Sequence, residues 1–178
     1  MKKIALLLIS IGLLICLAAC GEKTTAVDTT EFSLKLEDAT LALGQQSGAF
    51  PWGTAMEEKS SRFWSADGSN GFEVVAKDGT KIRGTREEST GDTTDADLFL
   101  IVTKSRDWQT YRGAYVGMSM DKVLALYPEA VRRDGDGPGV TAYEYTTEET
   151  FFYQLIFNFE KDKLAEITLA NGIDGFMY

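Results

Sequence analysis

The 178-residue chain has no histidine, two cysteines, three prolines and 18 basic side chains against 27 acidic ones. The missing histidine removes the usual general base, every Ser–His or Cys–His nucleophile and the commonest zinc ligand. Both cysteines, Cys16 and Cys20, fall within the first twenty residues. A domain exported without further cysteines holds together by its core alone, since it has none left for a bridge. The acidic balance, a formal −9, repels nucleic acid and anionic lipid headgroups and leaves basic partners, cations and neutral proteins open.

What is present begins with an address. Lys2 and Lys3 precede Ile4 to Ala19, 16 residues without a charge. That run is shorter than the roughly 20 apolar residues of a comfortable membrane span, and it has the proportions of a signal-peptide apolar region ending in small residues. Leu17-Ala18-Ala19-Cys20, followed by Gly21, resembles the lipobox of bacterial lipoproteins. The resemblance implies cleavage between Ala19 and Cys20 and a diacylglyceryl group on the Cys20 sulfur. Two acyl chains suffice for stable anchoring where one is marginal. The expected location is therefore the cell membrane, lipid-anchored and facing outward, or the periplasm and outer membrane where the cell has two membranes.

Cleavage leaves 159 of the 178 residues and takes away two lysines, so the formal charge becomes −11. Residues 20–31 are almost devoid of apolar side chains and read as a lipidated tether. Residues 32–178 are long enough for one domain with a substantial core.

Within that domain one helix is expected. Ser119 suits an N-cap, Met120, Val123, Leu124 and Tyr127 form one apolar stripe, Asp121 favours the positive end of the dipole, and Pro128 closes the segment. Elsewhere the patterns are those of strands. Leu98 to Thr103 is continuously apolar and reads as a central strand covered on both faces. Phe72 to Ala76 and Thr80 to Thr85 flank the turn Lys77-Asp78-Gly79. Thr141 to Tyr145 alternates, with Tyr143 and Tyr145 on one side. Phe151 to Glu160 puts Phe151, Tyr153, Leu155, Phe157 and Phe159 on one face, with Phe152, Gln154, Ile156, Asn158 and Glu160 on the other. Leu164 to Leu169 follows, with Ala165, Ile167 and Leu169 sharing a side. The fold class expected is α+β: antiparallel sheet with one or two short helices on one face.

A faint internal repeat divides the domain into units 32–104 and 105–178. Ala42-Leu43-Gly44-Gln45 answers Tyr115-Val116-Gly117-Met118, and Lys77-Asp78-Gly79 answers Lys161-Asp162-Lys163. Arg112 to Ser119, with Asp121-Lys122-Val123-Leu124 and Tyr127-Pro128, resembles the strand, Gly-Met/Asp-Ser/Thr, helix module of β-lactamase-inhibitor-protein-like and SmpA/OmlA-like envelope proteins. The resemblance covers about 20 residues. It implies helix-plus-antiparallel-sheet units whose sheets form one concave surface, which in the inhibitor family grips a protein. This chain departs from that pattern in its first unit, where Gly48 and Pro51 interrupt the helix, and it lacks the cysteines that brace the inhibitors.

Other motifs have plainer explanations. Ser119-Met120-Asp121-Lys122 matches the Ser-x-x-Lys pattern of penicillin-recognising enzymes, but the companion motifs are absent and Ser119 already serves as a cap. Asp134-Gly135-Asp136-Gly137 starts like a calcium loop, yet Pro138 and Tyr145 occupy positions where ligands belong; this segment and Asp92, Asp95 and Asp97 read as turns. Neither a metal nor a cofactor is expected.

The most suggestive feature is aromatic. Trp108, Tyr111, Tyr115, Tyr143, Tyr145 and Tyr153 fall in the second unit, mostly on expected strands. Any single ring has a ready role in a core, but tyrosine and tryptophan together suit protein interfaces. The function expected is a non-catalytic, lipid-anchored module that binds a protein or peptide through an exposed aromatic face. A structural or assembly lipoprotein is the alternative, and a carboxylate-dependent hydrolase the remote one.

Overall fold

Alternation along Tyr153–Glu160 is the pattern around which the domain is built. A strand sends successive side chains to opposite faces, and here Leu155, Phe157 and Phe159 go to the core while Gln154 and Ile156 go to the other side. The computed structural model describes residues 29–37, 39–44, 58–66, 69–86, 97–135, 137–147 and 152–172, with only the backbone for 58–66, 69–70 and 86. The leader, Ala19, Cys20, Phe151 and most of the tether lie outside the described residues.

The strands are β1 (Ser33–Leu36), β2 (Ala39–Ala42), β3 (Glu58–Ala66), β4 (Ser69–Ala76), β5 (Lys81–Arg86), β6 (Asp97–Thr103), β7 (Gln109–Thr110), β8 (Val131–Asp134), β9 (Val140–Tyr145), β10 (Tyr153–Glu160) and β11 (Lys163–Asn171). Among the described residues one helix, α1 (Met120–Leu126), stands between β7 and β8. The large sheet has the order β3-β4-β5-β6-β11-β10-β9-β8, and a small one the order β2-β1-β7. Every pairing is antiparallel. The protein is therefore α+β and mostly sheet.

The large sheet consists of two four-strand meanders, β3 to β6 and β8 to β11, joined where Leu100–Thr103 pairs with Ile167–Ala170. Gly44 precedes the first meander and Gly117 the second. Both have positive φ, 71° and 100°, a conformation that costs glycine nothing. Each N–H donates to the second residue of its meander's last strand, Gly44 to the Leu98 carbonyl at 2.9 Å and Gly117 to the Leu164 carbonyl at 2.7 Å. The two turns matched by sequence are not equivalent. Lys77-Asp78-Gly79 joins second and third strands, whereas Lys161-Asp162 joins third and fourth. The small sheet also crosses the 104/105 boundary, because β1 pairs with β7.

The core lies on one face of the large sheet. Val74, Ile82, Ile101, Leu169, Leu155 and Tyr145 form one cross-strand row there. Over it sit Leu34 and Leu41 of the small sheet, Trp108, Val116, and Val123 and Tyr127 from the helix region. Each fully buried large side chain contributes roughly 1.5–3 kcal/mol relative to exposure. A bulge opposite Asn158/Phe159 sets Leu164, not Ala165, into this core beside Ile167 and Leu169.

The helix forms as expected, but its start is held differently. Ser119 has the extended backbone of a cap, φ −71° and ψ 150°, yet its side chain makes no capping bond. Backbone pairing does the work instead: Met120 N–H donates to the Asp162 carbonyl at 3.0 Å, and Leu164 N–H to Met118 at 2.9 Å. No helix among the described residues is long and apolar enough to cross a membrane.

Candidate functional site

The opposite face of the large sheet bears the candidate site. Alternation places Val75, Lys81, Val102, Thr168, Ile156, Glu144 and Val131 in one row running across seven strands. A second row holds Glu73, Arg83, Leu100, Ala170 and Gln154. The third is Glu166, Asn158, Ala142 and Arg133. No helix or strand among the described residues is seen over this outer face, though Leu100 and Ala142 on it are themselves buried, while Val102, Ile156 and Ala170 are half-buried. Its middle is apolar, with Leu100, Val102, Ile156, Ala142 and Ala170.

Its margin is charged and ordered by ion pairs. Arg83 Nε donates to Glu73 Oε2 at 2.6 Å, and Arg133 Nη1 to Glu144 Oε2 at 2.9 Å. Between these, Asn158 Nδ2 donates to Glu166 Oε1 at 2.8 Å, while Lys104 Nζ stands 3.4 Å from Glu166 Oε2. Asn158 is only 6 % exposed, and its Oδ1 has no hydrogen-bond partner among the described residues. A buried acceptor left unmet costs roughly 1–3 kcal/mol. Native folds keep few such groups.

The six aromatic residues singled out in the sequence do not share an exposed face. Trp108 is wholly buried, and its Nε1 donates to Asp78 Oδ2 at 2.8 Å. Tyr143 and Tyr145 do lie on one side of β9, but they pair with Phe157 and Leu155, whose side chains form the core. Tyr143 meets Phe159 edge-on at 6.0 Å, and Tyr153 packs 5.7 Å from Phe32. Tyr111 and Tyr115 are exposed, at 44 % and 40 %, on the turn after β7, where Lys35 Nζ sits 4.7 Å above the Tyr111 ring. The sheet's aromatic side is thus its covered side.

A second polar centre has a structural role. Arg112 Nε donates to Glu31 Oε2 at 2.8 Å, Nη1 to the Leu126 carbonyl and to Glu129 Oε2 at 3.0 Å each, and Nη2 to Tyr145 Oη at 2.9 Å. Its guanidinium carbon lies 4.9 Å from the Tyr127 and Tyr145 ring centroids. One side chain therefore ties the segment before β1 to the end of α1 and to β9. Burial raises the Tyr145 phenol above its ordinary value, helped by the nearby charge of Glu31, and burial likewise raises Tyr127.

Glu129 and Glu144 line a depression of about 220 Å³ beside β8, smaller than the roughly 300–1,000 Å³ of ordinary ligand pockets. Each carboxylate is bonded to an arginine, Arg112 and Arg133 respectively. Glu129 is held below the usual carboxylate range, first by a hydrogen bond to its own backbone and then by Arg112. A general acid needs the opposite shift, so Glu129 is not arranged as a proton donor. Asp136, Asp92 and Asp95 lie outside the described residues, among which no three acidic side chains gather around a common point.

No family model, curated protein or solved structure matches this chain.

Sequence reasoning missed the Asn158–Glu166 pair. Asn158 was legible as an outer-face residue of β10, but its partner depends on a bulge in the β10–β11 register, which alternation alone does not reveal.

Proposed function

We propose that the chain is a lipid-anchored envelope protein whose domain binds a protein or peptide on the outer face of its large sheet, without catalysis. The observation that carries this reading is the composition of that face: a half-buried apolar middle of Val102, Ile156 and Ala170 inside a margin of ion pairs, with no described element over it. An apolar centre within a polar rim is the usual anatomy of a binding surface. Leu17 to Cys20 support the anchor, through the lipobox resemblance.

We also read the two meanders as degenerate copies of one unit. The equivalent bonds of Gly44 and Gly117 support this, as does the matching strand order on either side of the β6–β11 seam. On that reading the outer face is composite, each copy giving four strands.

The test is site-specific photocrosslinking in the native envelope. A crosslinker at Ile156 should trap a discrete partner, and one at Thr40, exposed on the small sheet, should not. Equal trapping from both positions, or none from Ile156, overturns the assignment. Mass spectrometry of the envelope protein should find Cys20 acylated and N-terminal; a bare Cys20 or a retained leader overturns the anchor.

A further inference from the structure

We propose that Glu166 and Asn158 form the part of the outer face that receives an arginine side chain from the partner polypeptide. This deepens the binding reading above and rests on it.

Of the three carboxylates paired on this face among the described residues, Glu73 and Glu144 are each closed by an arginine, at 2.6 and 2.9 Å. Glu166 differs. Its basic neighbour is Lys104, 3.4 Å away on a side chain 73 % exposed, a contact that water and salt weaken easily. Beside it, Asn158 directs one of its two amide hydrogens to Glu166 Oε1, which turns the amide oxygen away from that carboxylate and leaves it unmet though buried. Ala142, the cross-strand neighbour on that other side, carries only a methyl group. The pair thus offers acceptors in the Glu166 carboxylate and in the unmet Asn158 amide oxygen.

Charge narrows the ligand. A mature chain at a formal −11 draws cationic partners. Guanidinium carries five donors in a rigid plane and is more weakly hydrated than ammonium, so it suits a partly buried site with two separate acceptors. Its aliphatic stem has Ile156 and Val102 to lie against, in the adjoining row. Lys104 then acts as an internal occupant that the incoming arginine displaces.

The probe is N-acetyl-arginine methylamide, added to the intact lipidated protein in zwitterionic micelles and followed through the Asn158 side-chain amide signals. A saturable shift is expected, absent with the neutral citrulline analogue. Glu166→Gln should weaken binding at least fivefold. Lys104→Ala should tighten it several-fold, an effect that a merely structural Asn158 does not produce. Methyl spectra of each variant report whether the core is intact. The inference is overturned by no saturable shift, by equal affinity for citrulline, by an unchanged Lys104→Ala variant, or by a long-lived water that stays on Asn158 at saturating probe. Crosslinking from Ile156 with no arginine response removes this site alone. An arginine response without crosslinking keeps the site and removes the reading of the face as an interface.

Discussion

Replacing Arg112 with methionine keeps most of the side chain's volume and removes everything polar about it. Four acceptors lose their donor: Glu31, Glu129, the Leu126 carbonyl and Tyr145 Oη. They do not count equally. Glu129 is 56 % exposed and finds water, so its share is small. Glu31 is half-buried, and a charged hydrogen bond there contributes about 1.5–3 kcal/mol. The Leu126 and Tyr145 bonds add about 1 kcal/mol each, and the two ring contacts at 4.9 Å add about 0.5 each. Methionine restores part of this through packing, leaving a net loss of about 2–4 kcal/mol. With a urea slope of about 2 kcal/mol per molar, the unfolding midpoint should fall by about 1–2 M. Arg112→Lys should recover less than half, because an ammonium cannot serve acceptors in so many directions. A cycle with Glu31→Gln should give a coupling of about 1–2 kcal/mol. An Arg112→Met loss below about 0.5 kcal/mol, or a lysine variant equal to wild type, would refute the view that this arginine fastens the start of β1 to the helix and sheet.

Two further outcomes test the packing and the buried phenols. A Cβ on Gly84 would run into the Phe72 ring and lie 2.8 Å from the Asp97 carbonyl; backbone cannot step aside, so Gly84→Ala should destabilise by about 2–3 kcal/mol, and thermal unfolding within 1 °C of wild type would contradict the close approach. Tyr127 and Tyr145 have phenols raised above their ordinary value of 10, so the folded state holds those protons more tightly than the unfolded state. Their stabilisation is whole below pH 10 and is lost as pH rises through the raised values. Stability measured from pH 9 to 12 should therefore decline, less steeply in Tyr127→Phe and Tyr145→Phe; an identical decline in both variants would assign it elsewhere.

The strands were legible where apolar alternation was long. β4, β5, β6, β9, β10 and β11 follow segments whose pattern reads directly from the sequence, and Leu98 to Thr103 is indeed a central strand with both faces largely buried. β8 was not legible, because an exposed edge strand reading Val-Arg-Arg-Asp has no apolar period to detect, and its charges suit an edge that must not aggregate. β1, β2 and β7 have four residues or fewer each and owe their pairing to one another. The aromatic residues illustrate a deeper limit. A period of two tells which side chains share a face, and Tyr143 and Tyr145 do share one. Which face the rest of the chain covers is a tertiary fact, decided here by the small sheet and α1 lying over the Leu155 and Phe157 side. The candidate site consequently lies on the side of β10 whose sequence pattern is mixed.

Ser119 separates local from tertiary reasoning most sharply. By sequence it is an N-cap, and replacing an N-cap serine with alanine costs about 1 kcal/mol. That cost comes from a side-chain oxygen satisfying one of the first free N–H groups of a helix. Here the side chain makes no such bond, and the Met120 N–H is already taken by the Asp162 carbonyl at 3.0 Å. Ser119 is also bridged to Lys163 through the backbone, which alanine preserves. Ser119→Ala should therefore change the free energy of unfolding by less than about 0.5 kcal/mol, within the range of ordinary surface substitutions. Asp162→Pro, by contrast, forces a negative φ on a residue whose φ is 61° and should loosen both the β10–β11 turn and the helix start. Denaturant midpoints decide between the two accounts. A loss of 1 kcal/mol or more in Ser119→Ala would mean that the serine hydroxyl caps α1 after all, and that the strand-to-helix stitching is not what holds its first turn.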